Sequence, residues 1–185
     1  MNKKLRSTFA ERLRIVPARL WHLPGIFLLM HLAARDGFLS TALLEDSAQV
    51  SLLLRLVCAI LFGYMHVPGH FFVRAKIRVA VIGETTIGHI LLLQQRNNVE
   101  LAVCAVQTAY RRCGVGRHLL DDAIFLAGKL PMDAVCMPKA HAMGMLLRKR
   151  GFIGESMMIG RGVSLRHWRL TPAALPSVTD QLSVK

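Results

Sequence analysis

Gly114 and Gly116 lie in the run Arg111-Arg112-Cys113-Gly114-Val115-Gly116-Arg117, where two small residues sit among three arginines. Glycine lets a backbone approach a ligand with no side chain in the way. A helix start supplies unsatisfied N–H groups and a partial positive charge, and the apolar periodicity that begins at Gly116 predicts such a start here. Glycines, arginines and a helix N-terminus together suit a pyrophosphate. A bare Gly-x-Gly also describes an ordinary tight turn before a helix, so the flanking elements must decide between the two.

Other side chains could also do chemistry. Glu100 stands on the strand that leads into this loop, as a base or as a plain edge carboxylate. His89 and Cys136 fall on strands that can face a cleft, and packing explains them better than catalysis. His66 and His70 are four apart, but Pro68-Gly69 between them prevents a regular helix from presenting both to a metal. Cys58, Cys104, Cys113 and Cys136 are widely spaced and fit neither a disulfide framework nor a CxxC knuckle, so a reducing cytoplasm is expected.

The elements that must position these residues follow from periodicity and punctuation. A short strand is expected over 15–18, then a helix over 24–32 that opens on Pro24 and ends near Gly37. A strongly apolar helix is expected over 47–62, with Ser47 as N-cap and Gly63 as its stop. Strands over 76–82, 87–95 and 99–106, joined by turns at 83–86 and 96–98, make an antiparallel meander that runs straight into the glycine loop. Helix 116–128, strand 134–137 and helix 140–150 follow, an order that implies a parallel strand pair with a right-handed crossover. Residues 152–170 read as one or two closing strands, giving one domain over 1–170 and a loose tail over 171–185.

The chain's 185 residues suffice for one domain with a real core. Hydrophobic residues at 53% exclude a disordered chain, and 24 Lys and Arg against 11 Asp and Glu give a net charge of +13, which favours anionic partners. Segments 26–34 and 50–64 are greasy, but the first is short and the second contains Arg55, so buried or amphipathic helices are expected there, with contact at a membrane surface as the other reading. Recognition-helix motifs and an aromatic stacking stripe are missing, which disfavours a nucleic-acid reader.

Residues 101–120, a strand ending in Val106, then Tyr110, Arg111-x-x-Gly114-x-Gly116 and a leucine-containing helix, strongly resemble the signature of the GNAT acetyltransferase superfamily. Ile87-Gly88-His89-Ile90 looks like the family's glycine-containing strand, Gly151-Phe152 like the end of its last core helix, and Ile15-Val16-Pro17-Ala18 like its opening strand. The resemblance implies an α+β fold with a mixed, mostly antiparallel sheet, helices on both faces and a central parallel pair. It implies acetyl-CoA as cofactor, with Cys104, Ala105 and Val106 along the pantetheine arm. Arg111, Arg112, Cys113, Gly114, Val115, Gly116 and Arg117 would surround the pyrophosphate.

The family's Asn and Tyr near the thiol fall here at Ala140 and Leu147, and a frequent Glu base falls at Val135. None of these can move a proton, which leaves Glu100 as candidate base and His141, beside Ala140, as candidate proton donor to the thiolate. The implied activity is transfer of an acetyl group to a primary amine of an acidic protein or an RNA-linked acceptor such as aminoacyl-tRNA. The rival is a non-catalytic module that binds CoA, a protein or an anionic membrane surface.

Overall fold

The computed structural model describes residues 12–67, 70–159 and 163–171. The basic residues Lys3, Lys4 and Arg6, the link Pro68-Gly69, Arg161 and the expected tail from Pro172 lie outside them. The chain runs as strand β1 (Leu13–Pro17), a 3-10 turn (Leu20–His22) and helix α1 (Leu23–Arg35), then helix α2 (Asp46–Phe62). Strands β2 (Tyr64–Val67), β3 (His70–Ile82), β4 (Thr85–Gln94) and β5 (Val99–Val106) follow, then helix α3 (Val115–Ala127), β6 (Met132–Cys136), α4 (His141–Lys149), β7 (Ile153–Ile159) and β8 (Val163–Leu170).

One sheet of order β1-β3-β4-β5-β6-β8-β7 results, with β2 paired to β3 outside that path. Every pairing is antiparallel except β5 with β6. The α+β class, the meander, the parallel pair and two closing strands agree with the sequence expectation.

Local chemistry explains most boundaries. Pro24 stands in the first turn of α1, where no donor is needed. Gly63 ends α2 in the left-handed region at φ +71 and gives its N–H to the Ala59 carbonyl at 3.1 Å. Gly83, at φ +60, takes the first place of the two-residue β3–β4 turn, which a primed hairpin turn requires.

Three details differ from the sequence reading. The N-cap of α2 is Glu45, not Ser47, because the helix starts one residue before Ser47, at Asp46. Strand β3 begins six residues earlier than expected, and its first half is held by β2, whose four residues are too few to show alternation. Strand β5 carries a bulge: Leu91 faces Val103 and Leu92 faces Leu101, so Ala102 is an extra residue.

The sheet separates two apolar layers. On one side α3 and α4 close a core containing Leu119, Leu120, Ala123, Leu147 and Trp168. On the other, Ile26 and Met30 of α1 and Leu56 and Ala59 of α2 pack on Ile77, Val79, Leu91 and Leu93.

Candidate functional site

The β5–β6 pair is joined over only three rungs, Val99↔Met132, Glu100↔Asp133 and Leu101↔Ala134, and beyond them the strands part. Gln107 donates its N–H to Ile87 of β4 at 2.8 Å. By the alternation of a pleated strand, Ala105 also turns its main chain to β4, while Cys104 and Val106 turn theirs into the fork. The backbone groups expected along a pantetheine arm are therefore those of Cys104 and Val106, and the main chain of Ala105 is engaged within the sheet.

The loop leaving β5 makes a 3-10 turn at Thr108–Tyr110 and reaches α3 through two left-handed residues, Arg112 at φ +66 and Gly114 at φ +90. Positive φ at a non-glycine such as Arg112 is uncommon and stores local strain. Turns of this kind aim successive N–H groups to one side and make anion-binding concavities. Gly114 is the N-cap of α3, no side chain caps that end, and no acid lies in its first turn. Val115 is buried and pins the turn, whereas Arg112 and Arg117 are exposed around it.

The two glycines do different jobs. A Cβ on Gly114 would find only His118, at 3.9 Å, so its backbone angle and not crowding requires glycine there. A Cβ on Gly116 would meet Leu146 at 3.6 Å and Val106 at 3.9 Å, in ordinary contact.

Arg111 points away from the loop. Its Nε donates to the Val106 carbonyl at 3.2 Å, Nη2 lies 3.7 Å from Asp36, and the guanidinium sits 5.1 Å from the Phe38 ring centre. On the other arm of the fork, the Lys139 side chain lies against Gly37, 3.2 Å from where a Cβ would stand. Residues 36–38 thus touch both arms, and Arg111 braces the strand end.

Cys104 and Cys136 belong to the α3/α4 side of the diverging strands. Burial, reinforced by Cys136, pushes the Cys104 thiol up to about 12, and burial pushes Cys136 up to about 11 against the pull of Arg166. Both remain protonated near neutrality, which makes them poor nucleophiles. His89, fully buried beside Ala105, has no partner for either ring nitrogen, and burial lowers its pKa to about 4. Packing, as expected, is its role.

Glu100 pairs with Leu93, a residue of the α1/α2 layer, so its side chain lies on that side, one rung below the fork. It accepts a hydrogen bond from Gln95 Nε2 at 3.3 Å. His141 is the exposed first residue of α4, on the opposite side of the sheet. The fold does not bring these two candidates together. Ala140 is the N-cap of α4, Leu147 is fully buried in the core, and Val135 is half-exposed on its strand.

Sequence reasoning missed Asp133, which is buried on β6 and accepts from Asn98 Nδ2 at 2.7 Å and Arg169 Nε at 2.9 Å, with His167 Nε2 at 3.2 Å. An acid inside the otherwise apolar strand Met132–Cys136 was its available signal. Among the described residues, no group of three or more His, Cys, Asp or Glu could hold a metal, and the His70 side chain lies outside them. No described helix is long and apolar enough to cross a membrane.

The model of the acetyltransferase (GNAT) family matches residues 45–152. No curated protein matches the chain. Among solved structures, the chain is similar to a GCN5-related N-acetyltransferase from Kribbella flavida, with 19% identity and a TM-score of 0.67 over 88% of this chain and 99% of that one. It is similar to yncA from Salmonella typhimurium, solved with its cofactor acetyl-CoA, at 20% identity and a TM-score of 0.66 over 90% and 98%. The PaiA N-acetyltransferase of Thermoplasma acidophilum, in complex with coenzyme A, aligns over 84% and 97% at 15% identity and a TM-score of 0.60.

Proposed function

Since the chain belongs to the GNAT acetyltransferase family, we propose that it moves an acetyl group from acetyl-CoA to a primary amine. The observation that carries this reading is the uncapped N-terminus of α3, opened by left-handed Gly114 in the loop that follows β5. Main-chain N–H groups of residues 112 and 114–117, with the exposed Arg112 and Arg117, would hold the pyrophosphate, while the Cys113 N–H closes the turn on the Tyr110 carbonyl. Main-chain groups of Cys104 and the N–H of Val106 would align the pantetheine arm in the fork, the Val106 carbonyl being held by Arg111. Acetyl-CoA brings an activated thioester, and attack by an amine needs chiefly proximity and a proton acceptor.

Glu100 is the proposed acceptor of that proton, directly or through water, and His141 the proposed donor to the departing thiolate. The net charge of +13 suits an acidic protein or an RNA-linked amine such as aminoacyl-tRNA. A second reading, a module that binds coenzyme A without turnover, is favoured by the inert Ala140, Leu147 and Val135.

Calorimetry with coenzyme A and thiol release from acetyl-CoA against a panel of amines test the proposal. Gly114→Glu is expected to abolish coenzyme A binding while the protein stays folded, because a carboxylate would face the phosphates. Unchanged affinity in the folded variant would remove the phosphate-loop assignment. Glu100→Gln is expected to keep coenzyme A binding and lower the transfer rate by about 10²-fold. Binding without turnover across the panel would favour the second reading.

A further inference from the structure

On the α1/α2 side of the sheet the helices pack on β3, β4 and β5. Among the described residues no helix covers the part formed by β6, β8 and β7 on that side, where Val135, Ile153 and Met157 are exposed. Directly paired residues share a face. The pairs Asp133↔Arg169, Val135↔His167 and Glu155↔His167 therefore place Asp133, His167, Arg169 and Glu155 on this open face. Ala134 and Trp168 face the core on the other side.

Asp133 has no free valence in this cluster. Its Oδ1 meets Arg169 Nε at 2.9 Å and His167 Nε2 at 3.2 Å, and its Oδ2 meets Asn98 Nδ2 at 2.7 Å and Arg169 Nη2 at 3.4 Å. Burial raises its pKa, but the bonds from Arg169 and Asn98 and the charges of Arg169 and His167 outweigh this and hold the carboxyl below its ordinary range. The negative charge of Asp133, 3.2 Å from Nε2 without hydrogen-bond geometry, favours the tautomer with its proton on that nitrogen, which leaves Nδ1 as the acceptor. No described side chain is bonded to His167 Nδ1, and 31% of the His167 side chain is exposed.

The height of this ring along the sheet matters. The last rung joining β5 and β6 is Leu101↔Ala134, and His167 pairs with Val135, the first β6 residue beyond it. His167 thus stands at the level where the fork opens, one residue past Ala134, while Glu100 and Asp133 lie one rung below. We propose that His167, oriented by Asp133, is a second proton-accepting residue for acetyl transfer, serving an amine bound on the open β6–β8–β7 face.

The proposal rests on the acetyltransferase reading. In the step, the amine nitrogen bonds to the thioester carbonyl carbon and the carbon–sulfur bond breaks. A primary ammonium sheds two protons on becoming an amide: the first passes to Glu100 as the amine is freed, and the second passes from the attacking nitrogen to His167 Nδ1. The thiolate takes a proton from His141 or solvent, and nothing is oxidised or reduced. His167 touches the reacting amine, and Asp133 is a positioning residue. The ionisable groups facing His167 are Asp133 from β6, Glu155 from β7, Arg169 from β8 and Glu100 from β5.

The test uses the full chain with acetyl-CoA and benzylamine, spermidine or a lysine peptide as acceptor. His167→Gln is expected to leave coenzyme A affinity unchanged by calorimetry and to lower kcat by about 10²-fold. It should also remove a limb from the acidic side of the pH–rate profile that Glu100→Gln leaves in place. Exogenous imidazole should restore activity to His167→Ala, which a structural role would not allow. Asp133→Asn should lower kcat without changing KM for acetyl-CoA, and a fall in Tm alone would mark it as structural. Full activity and an intact acidic limb in His167→Gln overturn the proposal while leaving acetyl transfer standing. A wild-type protein that binds coenzyme A and turns over no amine overturns both.

Discussion

The two layers on the sheet are built to different standards. Beneath α3 and α4, Leu119, Leu120, Ala123 and Leu147 are wholly buried, and the loop that starts α3 is anchored by buried Val115. Across the sheet, α2 buries Leu56 and Ala59 but leaves Val50 at 70%, Leu54 at 65% and Phe62 at 70% exposure. Each side also buries a ring nitrogen with no hydrogen-bond partner, Trp168 Nε1 in the α3/α4 core and both nitrogens of His89 beside Ala105 across the sheet. The firm difference is between α3, which buries five of its 13 residues, and α2, which buries two of 17, while both sides expose apolar side chains, Phe125 of α3 and Met145 of α4 among them. A pre-organised anion site needs fixed N–H groups, whereas an acceptor surface can stay open.

Truncation should separate the layers most strongly. Leu147→Ala is expected to destabilise the fold by about 3 kcal/mol, from lost burial and the cavity left behind. Leu54→Ala should change it by no more than about 0.5 kcal/mol. Chemical denaturation measures both, and equal losses would break the contrast.

Acid should act through the other layer. An unfolded chain protonates its histidines near pH 6.5, while folded His89 resists down to about pH 4. This stability is fully present above pH 6.5 and falls as pH drops toward 4, by about 3 kcal/mol at that limit. His89→Leu should flatten that part of the stability–pH curve, and an unchanged curve would clear His89 of the effect.

The glycine pair should show small effects that differ from one another. Gly114→Ala is expected to lower stability by about 1 kcal/mol because φ +90 strains an L-residue. Gly116→Ala should be neutral or stabilising by up to about 1 kcal/mol, since its Cβ fits inside a helix. Thermal melts decide this, and a loss of coenzyme A affinity in Gly116→Ala alone would show that a ligand approaches that backbone.

The sequence made the meander, the loop and α3 legible because each announces itself locally. Val99–Val106 ends where its apolar run ends, and Gly128 caps α3 where the stripe stops. Strand β2 stayed hidden because its pairing, not its composition, makes it a strand. The direction of Arg111 was equally hidden, since Asp36 and Phe38 lie far away in sequence and become neighbours only through the fold. The Asp133 cluster joins three segments, β6 itself, the β4–β5 turn with Asn98 and β8 with His167 and Arg169, and nothing in their spacing announces that they meet.

The bulge at Ala102 works as a phase shift in a two-beat pattern. Under unbroken alternation Glu100, Cys104 and Val106 would all point to one side. With one extra beat between them, Glu100 falls on the α1/α2 side, while Cys104 and Val106 belong to the α3/α4 core. A single strand can thereby serve two compartments, bringing an acid to one and the proposed donor-binding edge to the other.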